Sequence, residues 1–109
     1  MDVQEQFSAL AEVLDEAVRM TIQRTASFPQ DPVYGHAREQ LAFIESFVQS
    51  RTVPSPEDKA CVDIGIMAVK ELEPDEPDYA RSLMRTSTRF KRLGQLATSD
   101  GSTGGGTSG

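Results

Sequence analysis

A chain of 109 residues, 38% of them hydrophobic, is long enough for one packed core, too short for two, and too apolar to be a disordered acidic chain. Its net charge of -6 and pI near 4.7 oppose a nucleic-acid interface, which needs Lys and Arg gathered against phosphate. No apolar run approaches the roughly 20 residues of a membrane span, and the start MDVQEQFSAL lacks the basic and then apolar regions of a signal peptide, so a cytoplasmic protein is expected.

Residues 3 to 26 place Val3, Phe7, Leu10, Leu14, Ala17 or Val18, and Ile22 three and four apart, the pattern of an amphipathic helix. Pro29 and Pro32 end it. Asp31 then stands as N-cap with Pro32 at the first helical position, and Tyr34, Ala37, Leu41, Ile44 and Val48 carry a second helix to about Arg51, flanked by Phe43 and Phe47. After RTVPSP, the set Ser55, Pro56, Glu57 and Asp58 supplies a cap, a proline and first-turn acids for a third helix over about 56 to 73. That helix is apolar on most of its circumference, which predicts a central, buried element with Cys61 as a small core residue. Gly65 and Ala68 would let a neighbouring helix approach closely.

Pro74 breaks the chain again, with Asp75 as the better N-cap for a fourth helix over about Glu76 to Leu93, Glu76 being a poor capping type. Tyr79 or Ala80, Leu83, Met84, Phe90 and Leu93 mark its apolar side, Arg81, Arg85 and Arg89 an i, i+4 ridge on another, and Gly94 its end. The final stretch TSDGSTGGGTSG has no apolar residue to bury. The expectation is an all-α, compact, four-helix bundle-like single domain over 1–97, with a flexible Gly/Ser-rich tail or linker over 98–109. Trp is absent and only five Phe and two Tyr are aromatic, which suits a helical core of aliphatic residues.

Catalytic chemistry is hard to assemble from these residues. His36 is the single histidine and Cys61 the single cysteine, so neither a zinc site nor a nucleophile with its base is suggested, and a single thiol agrees with a reducing compartment. No Gly-rich phosphate loop, GxSxG or HExxH occurs. No enzyme activity and no cofactor or metal are expected. What stands out is the joint between the third and fourth helices, where Glu71, Glu73, Asp75, Glu76 and Asp78 put five carboxylates into eight residues. Helix capping explains those near the fourth helix. Glu71 and Glu73 sit at the end of the third, where the helix dipole disfavours anions, and this points to recognition of a basic partner. The Arg81, Arg85, Arg89 ridge reads as a solvated face that compensates the run through local pairs.

The stretch REQLAFIESFVQSR (38 to 51) and, after a short break, DIGIMAVKELEPDEPDYARSL (63 to 83) resembles the small all-helical immunity proteins of bacterial type VI secretion systems that neutralise an NAD(P)+ glycohydrolase effector. The most specific element is IMAVKELE (66 to 73) followed by the acidic, proline-rich joint. The resemblance implies a cytoplasmic protein that binds the effector toxin domain and occludes its active site, with neither nucleic acid nor membrane as partner. A non-inhibitory adaptor or chaperone that binds an effector or secretion component is the alternative from another class.

Overall fold

The computed structural model describes residues 2–95. Among these the elements are α1 (Val3–Ser27), α2 (Pro32–Ser50), α3 (Pro56–Ala60), α4 (Ile64–Met67) running on into a π-helical turn (Ala68–Leu72), and α5 (Pro77–Lys91). The all-α architecture with four helical segments is as expected, with the third segment broken in the middle. Residues 98–109, expected as a tail, lie outside the described residues.

The helix starts follow their capping chemistry. Asp2 accepts from the Glu5 amide while the Glu5 side chain accepts from the Asp2 amide, a reciprocal box that opens α1. Asp31 accepts from Val33 N at 2.9 Å, with Pro32 in the first turn of α2, and Arg51 in the left-handed region (φ 54°) closes that helix. Ser55 and Asp58 form a second box at α3.

The expected continuous helix over 56–73 does not form. Its interruption at residues 61–63 is held by a side chain from another helix: Gln40 of α2 donates through Nε2 to the Cys61 carbonyl (2.7 Å), and its Oε1 accepts from the amides of Asp63 (2.7 Å) and Ile64 (3.1 Å). Backbone groups that the break leaves open are thus paired by one amide side chain. Cys61, expected in the core, is exposed at this break. The segment is also not central. Ile64, Ala68 and Leu72 turn inward, whereas Ile66 is 63% exposed and Val69 46%. In an α-helix a strict four-residue repeat drifts by about 40° per step, since 3.6 residues make a turn. The wider π-turn, with the Glu73 amide bonded to the Ala68 carbonyl, takes up that drift and keeps all three residues on the core side.

The helices close into a ring in which α1 packs on α2 and α5, α5 packs on α4 and the π-turn, and α4 meets α2. The Arg51 guanidinium lies over the Phe7 ring and Arg38 reaches Thr25, so α2 runs antiparallel to α1. Gly94 N donates to Gln6 Oε1 at 2.9 Å and Thr86 packs at Val13, so α5 is antiparallel to α1 as well. Phe7, Leu10, Leu14 and Ala17 of α1, Ala37, Leu41 and Ile44 of α2, and Leu83 and Phe90 of α5 form the core. Phe90 meets Phe43 and Phe47 edge-on at centroid distances of 6.2 and 5.4 Å. The stripe on α1 ends on buried Thr21 rather than on Ile22, which is 45% exposed.

The close approach expected at Gly65 is made by α5. A Cβ at Gly65 would stand 3.2 Å from Ser87 Oγ and 3.3 Å from Ser87 Cβ. A Gly65→Leu substitution would press on Ser87 and is expected to lower the unfolding free energy by about 1–3 kcal/mol through overpacking. Urea denaturation followed by circular dichroism checks this, with Gly35→Leu as the control, because a Cβ at Gly35 meets nothing within 4 Å.

Candidate functional site

The joint is a tight turn built on buried Leu72, whose carbonyl accepts from the amides of Asp75 (3.1 Å) and Glu76 (2.7 Å). Pro74 ends the π-turn and Pro77 occupies the first turn of α5. The cap is not the one expected: Glu76, not Asp75, holds the N-cap position of α5, and its side chain caps nothing. Its carboxylate is engaged elsewhere.

Glu76 points into the fold, where Arg24 Nε of α1 donates to Oε1 at 2.5 Å and the Tyr34 hydroxyl of α2 donates to Oε2. Partial burial alone would push the Glu76 carboxyl up, but the hydrogen bonds from Tyr34 and Arg24 and the Arg24 charge outweigh it and hold the group below the ordinary carboxylate range. The hydrogen bond to Glu76 first, then burial and the neighbouring negative charge, push Tyr34 up to about 12. Arg24 also donates to the Met20 carbonyl and lies 4.3 Å from the centroid of the Tyr79 ring. Tyr79 is fully buried, and its hydroxyl meets Thr21 Oγ1 at 2.7 Å. Thr21 gives its own proton to the Ala17 carbonyl, so Tyr79 is the donor between them. Burial raises the Tyr79 phenol above its usual value.

The other four carboxylates of the joint face solvent. Glu71, Glu73 and Asp75 are exposed and make no ion pair among the described residues, and exposed Asp78 stands 3.6 Å from Arg81. Just before them in the chain, α4 and the π-turn expose Ile66 and Val69, with exposed Lys70 between this apolar pair and the carboxylates. Apolar patches with polar rims characterise protein interfaces, and π-turns recur at functional sites.

Of the remaining expected residues, His36 sits on the surface, 2.7 Å from Asp63 Oδ1, and links α2 to the start of α4. Among the described residues no group of His, Cys, Asp and Glu is arranged to hold a metal ion. The arginine ridge pairs with the acidic run only through Arg81 and Asp78; Arg85 and Arg89 line a groove instead. The clasp of Arg24, Tyr34 and Glu76 was not visible in the helical pattern. The signal that could have found it is a Tyr at each of two core-facing positions, since a buried hydroxyl demands a partner.

A protein-family model described as Tsi6 matches residues 9–92, which takes in α1 from its second turn, the joint and all of α5. Among solved structures, that of Tsi6 from Pseudomonas aeruginosa matches with a TM-score of 0.72 at 25% identity, over 80% of this chain and 90% of that one. No curated protein sequence matches this chain significantly.

Replacing Glu76 by Gln keeps the shape and removes the charge. Because hydrogen bonds to a charged group are the stronger kind, Glu76→Gln should lower the unfolding free energy near neutral pH by about 1–3 kcal/mol, against less than about 0.5 kcal/mol for exposed Glu71→Gln. The folded pKa of Glu76 lies below its unfolded value, so its contribution is fully present above the unfolded value and drains away as pH falls through the folded one. The gap between wild type and Glu76→Gln in urea melts should therefore close in acid. Tyr34 has the opposite sign: raised from 10.0 to about 12, its contribution is complete below the lower value and lost as pH rises through the upper.

Proposed function

This chain belongs to the Tsi6 family, whose members are type VI secretion immunity proteins, and from that premise we propose that it binds a cognate NAD(P)+ glycohydrolase effector and silences it by covering the active site with the acidic joint. The observation that carries this reading is the set Glu71, Glu73 and Asp75, exposed and unpaired among the described residues, on a segment that also exposes Ile66 and Val69. Asp78 extends the same rim. Glu76 contributes from behind, by fixing the turn on which the others stand.

The chemistry of such a target favours a carboxylate-rich contact. A dinucleotide substrate carries a negatively charged pyrophosphate, so a cleft that binds it holds positive potential. A protein surface that presents several carboxylates on a fixed turn competes for that potential without itself being a substrate. Binding alone suffices for protection, in line with the non-enzymatic role that an immunity family suggests. The place of action is the cytoplasm, where the toxin would meet its nucleotide. No helix among the described residues is long and apolar enough to cross a membrane.

Co-expression with the toxin domain tests the function: growth should be rescued by the wild-type chain, whereas a non-inhibitory adaptor would bind and leave the cells poisoned. The contact set is tested by Glu71→Lys/Glu73→Lys/Asp75→Lys, which spares the clasp. Association with an inactive toxin domain should slow by about tenfold or more at low salt, and the difference should narrow as salt screens it. Helical circular dichroism should be unchanged. An unaltered association rate at both salt concentrations would move the interface to another face.

A further inference from the structure

Helix α5 carries charge of opposite sign beyond the joint. From Arg81, one turn past Asp78, the residues Arg85, Arg89 and C-cap Arg92 follow along one face over about 16 Å, at 1.5 Å per residue. With Met84 and Thr88 they line an open groove of about 500 Å³. Arg85, Arg89 and Arg92 make no ion pair among the described residues, although the chain holds 17 acidic residues against 11 Lys and Arg. Arginines at i, i+4 repel one another and cost an isolated helix a few tenths of a kcal/mol per pair. A concave row of like charges, left without internal partners in an acidic protein, is suited to a counter-charge from outside.

We propose that this groove is a second contact surface for the toxin partner and receives an acidic segment of it. On the reading given above, in which the joint faces the toxin, a partner seated on Asp78 reaches Arg81 without a gap. Each guanidinium offers a fork of donors that matches a carboxylate. Met84 supplies a soft apolar floor between the arginines for the stem of that segment. Four cations strung along α5 fit carboxylates spaced along a helix or an extended strand better than a compact phosphate, which could engage only neighbouring guanidiniums. The combined surface is bipolar, carboxylates at one end and arginines at the other. Such a pattern fixes the orientation of the bound toxin and rejects a toxin whose surface is basic throughout.

The sign of one substitution separates local docking from overall attraction. Arg85→Glu/Arg89→Glu makes the chain more negative, so a basic toxin steered only by net charge would associate faster. If the groove docks an acidic segment, affinity falls instead. The experiment is surface plasmon resonance with a catalytically inactive toxin domain, on wild type, this double variant and Arg85→Gln/Arg89→Gln, each checked by thermal melting. The Gln pair keeps the test decisive if the Glu pair does not fold. The expected result is a loss of affinity of about tenfold or more, carried by faster dissociation, in variants that melt like wild type. Affinity that is unchanged or improved while the joint reversal still weakens binding would overturn the groove proposal alone. A toxin domain that fails to bind the wild-type chain would overturn the proposed function, and the groove with it. A wild-type dimer in sedimentation that the double variant abolishes would assign the groove to a second copy of this chain, against the proposal.

Discussion

One carboxylate organises the end of this molecule. Glu76 cannot face inward unless Arg24 and Tyr34 meet it, because a partly buried charge without partners is costly. When they do, the start of α5 is tied to α1 through Arg24 and to α2 through Tyr34. The tie continues inward: the Arg24 guanidinium covers the Tyr79 ring, and the Tyr79 hydroxyl donates to Thr21 Oγ1, which donates in turn to the Ala17 carbonyl of its own helix. Polar groups of three helices are thereby satisfied at the edge of an otherwise apolar core. The consequence for the surface follows from chain geometry. With Leu72 and Glu76 both anchored inward, Glu71, Glu73 and Asp75 have solvent to face.

A second side chain, Gln40, has a comparable role at the start of α4, before the acidic joint. By pairing the backbone at Cys61, Asp63 and Ile64, it stabilises a break that a helical sequence would otherwise close over. The break frees α4 and the π-turn to lie against α5, where Gly65 meets Ser87. In that position Ile66 and Val69 are turned out to solvent, contrary to the economy of a folded core. Local choices that run against the fold in this way tend to mark functional surfaces, and here they precede the unpaired carboxylates along the same segment. The bundle therefore offers a partner an apolar pair, an acidic rim and an arginine groove along one connected stretch of chain from α4 to the end of α5.

The long helices were legible because their determinants are local. Apolar spacing and the caps at Asp31 and Ser55 are readable within a few residues, and the structure places them as expected. The break in the third helix has no local signal because it depends on Gln40, more than twenty residues earlier in the chain. Nothing in the run of Val62, Ile64, Ile66 and Val69 indicates which of them will be exposed, since a helix of uniform apolarity has no polar face to orient it. The direction of Glu76 was equally hidden: its partners lie 52 and 42 residues away. Composition identified the acidic joint as a whole, and tertiary contacts then divide it into one carboxylate that holds the fold and four that meet solvent.

An immunity protein must recognise its toxin quickly and in one orientation, which favours contact groups mounted on a fixed turn over the same groups on a mobile loop. The clasp is what makes the turn fixed. Tyr34→Phe deletes one hydroxyl from it, alters no charge and leaves the ring contacts with Phe28 and Tyr79 in place. Amide hydrogen exchange on this variant reads the clasp directly, because exchange reports local opening segment by segment. Faster exchange confined to the joint and the first turn of α5, with α1 and α2 as slow as in the wild type, is the expected result. Exchange at the joint that is unchanged, or accelerated evenly over every helix, would show that Glu76 and Tyr34 do not hold the acidic face in place.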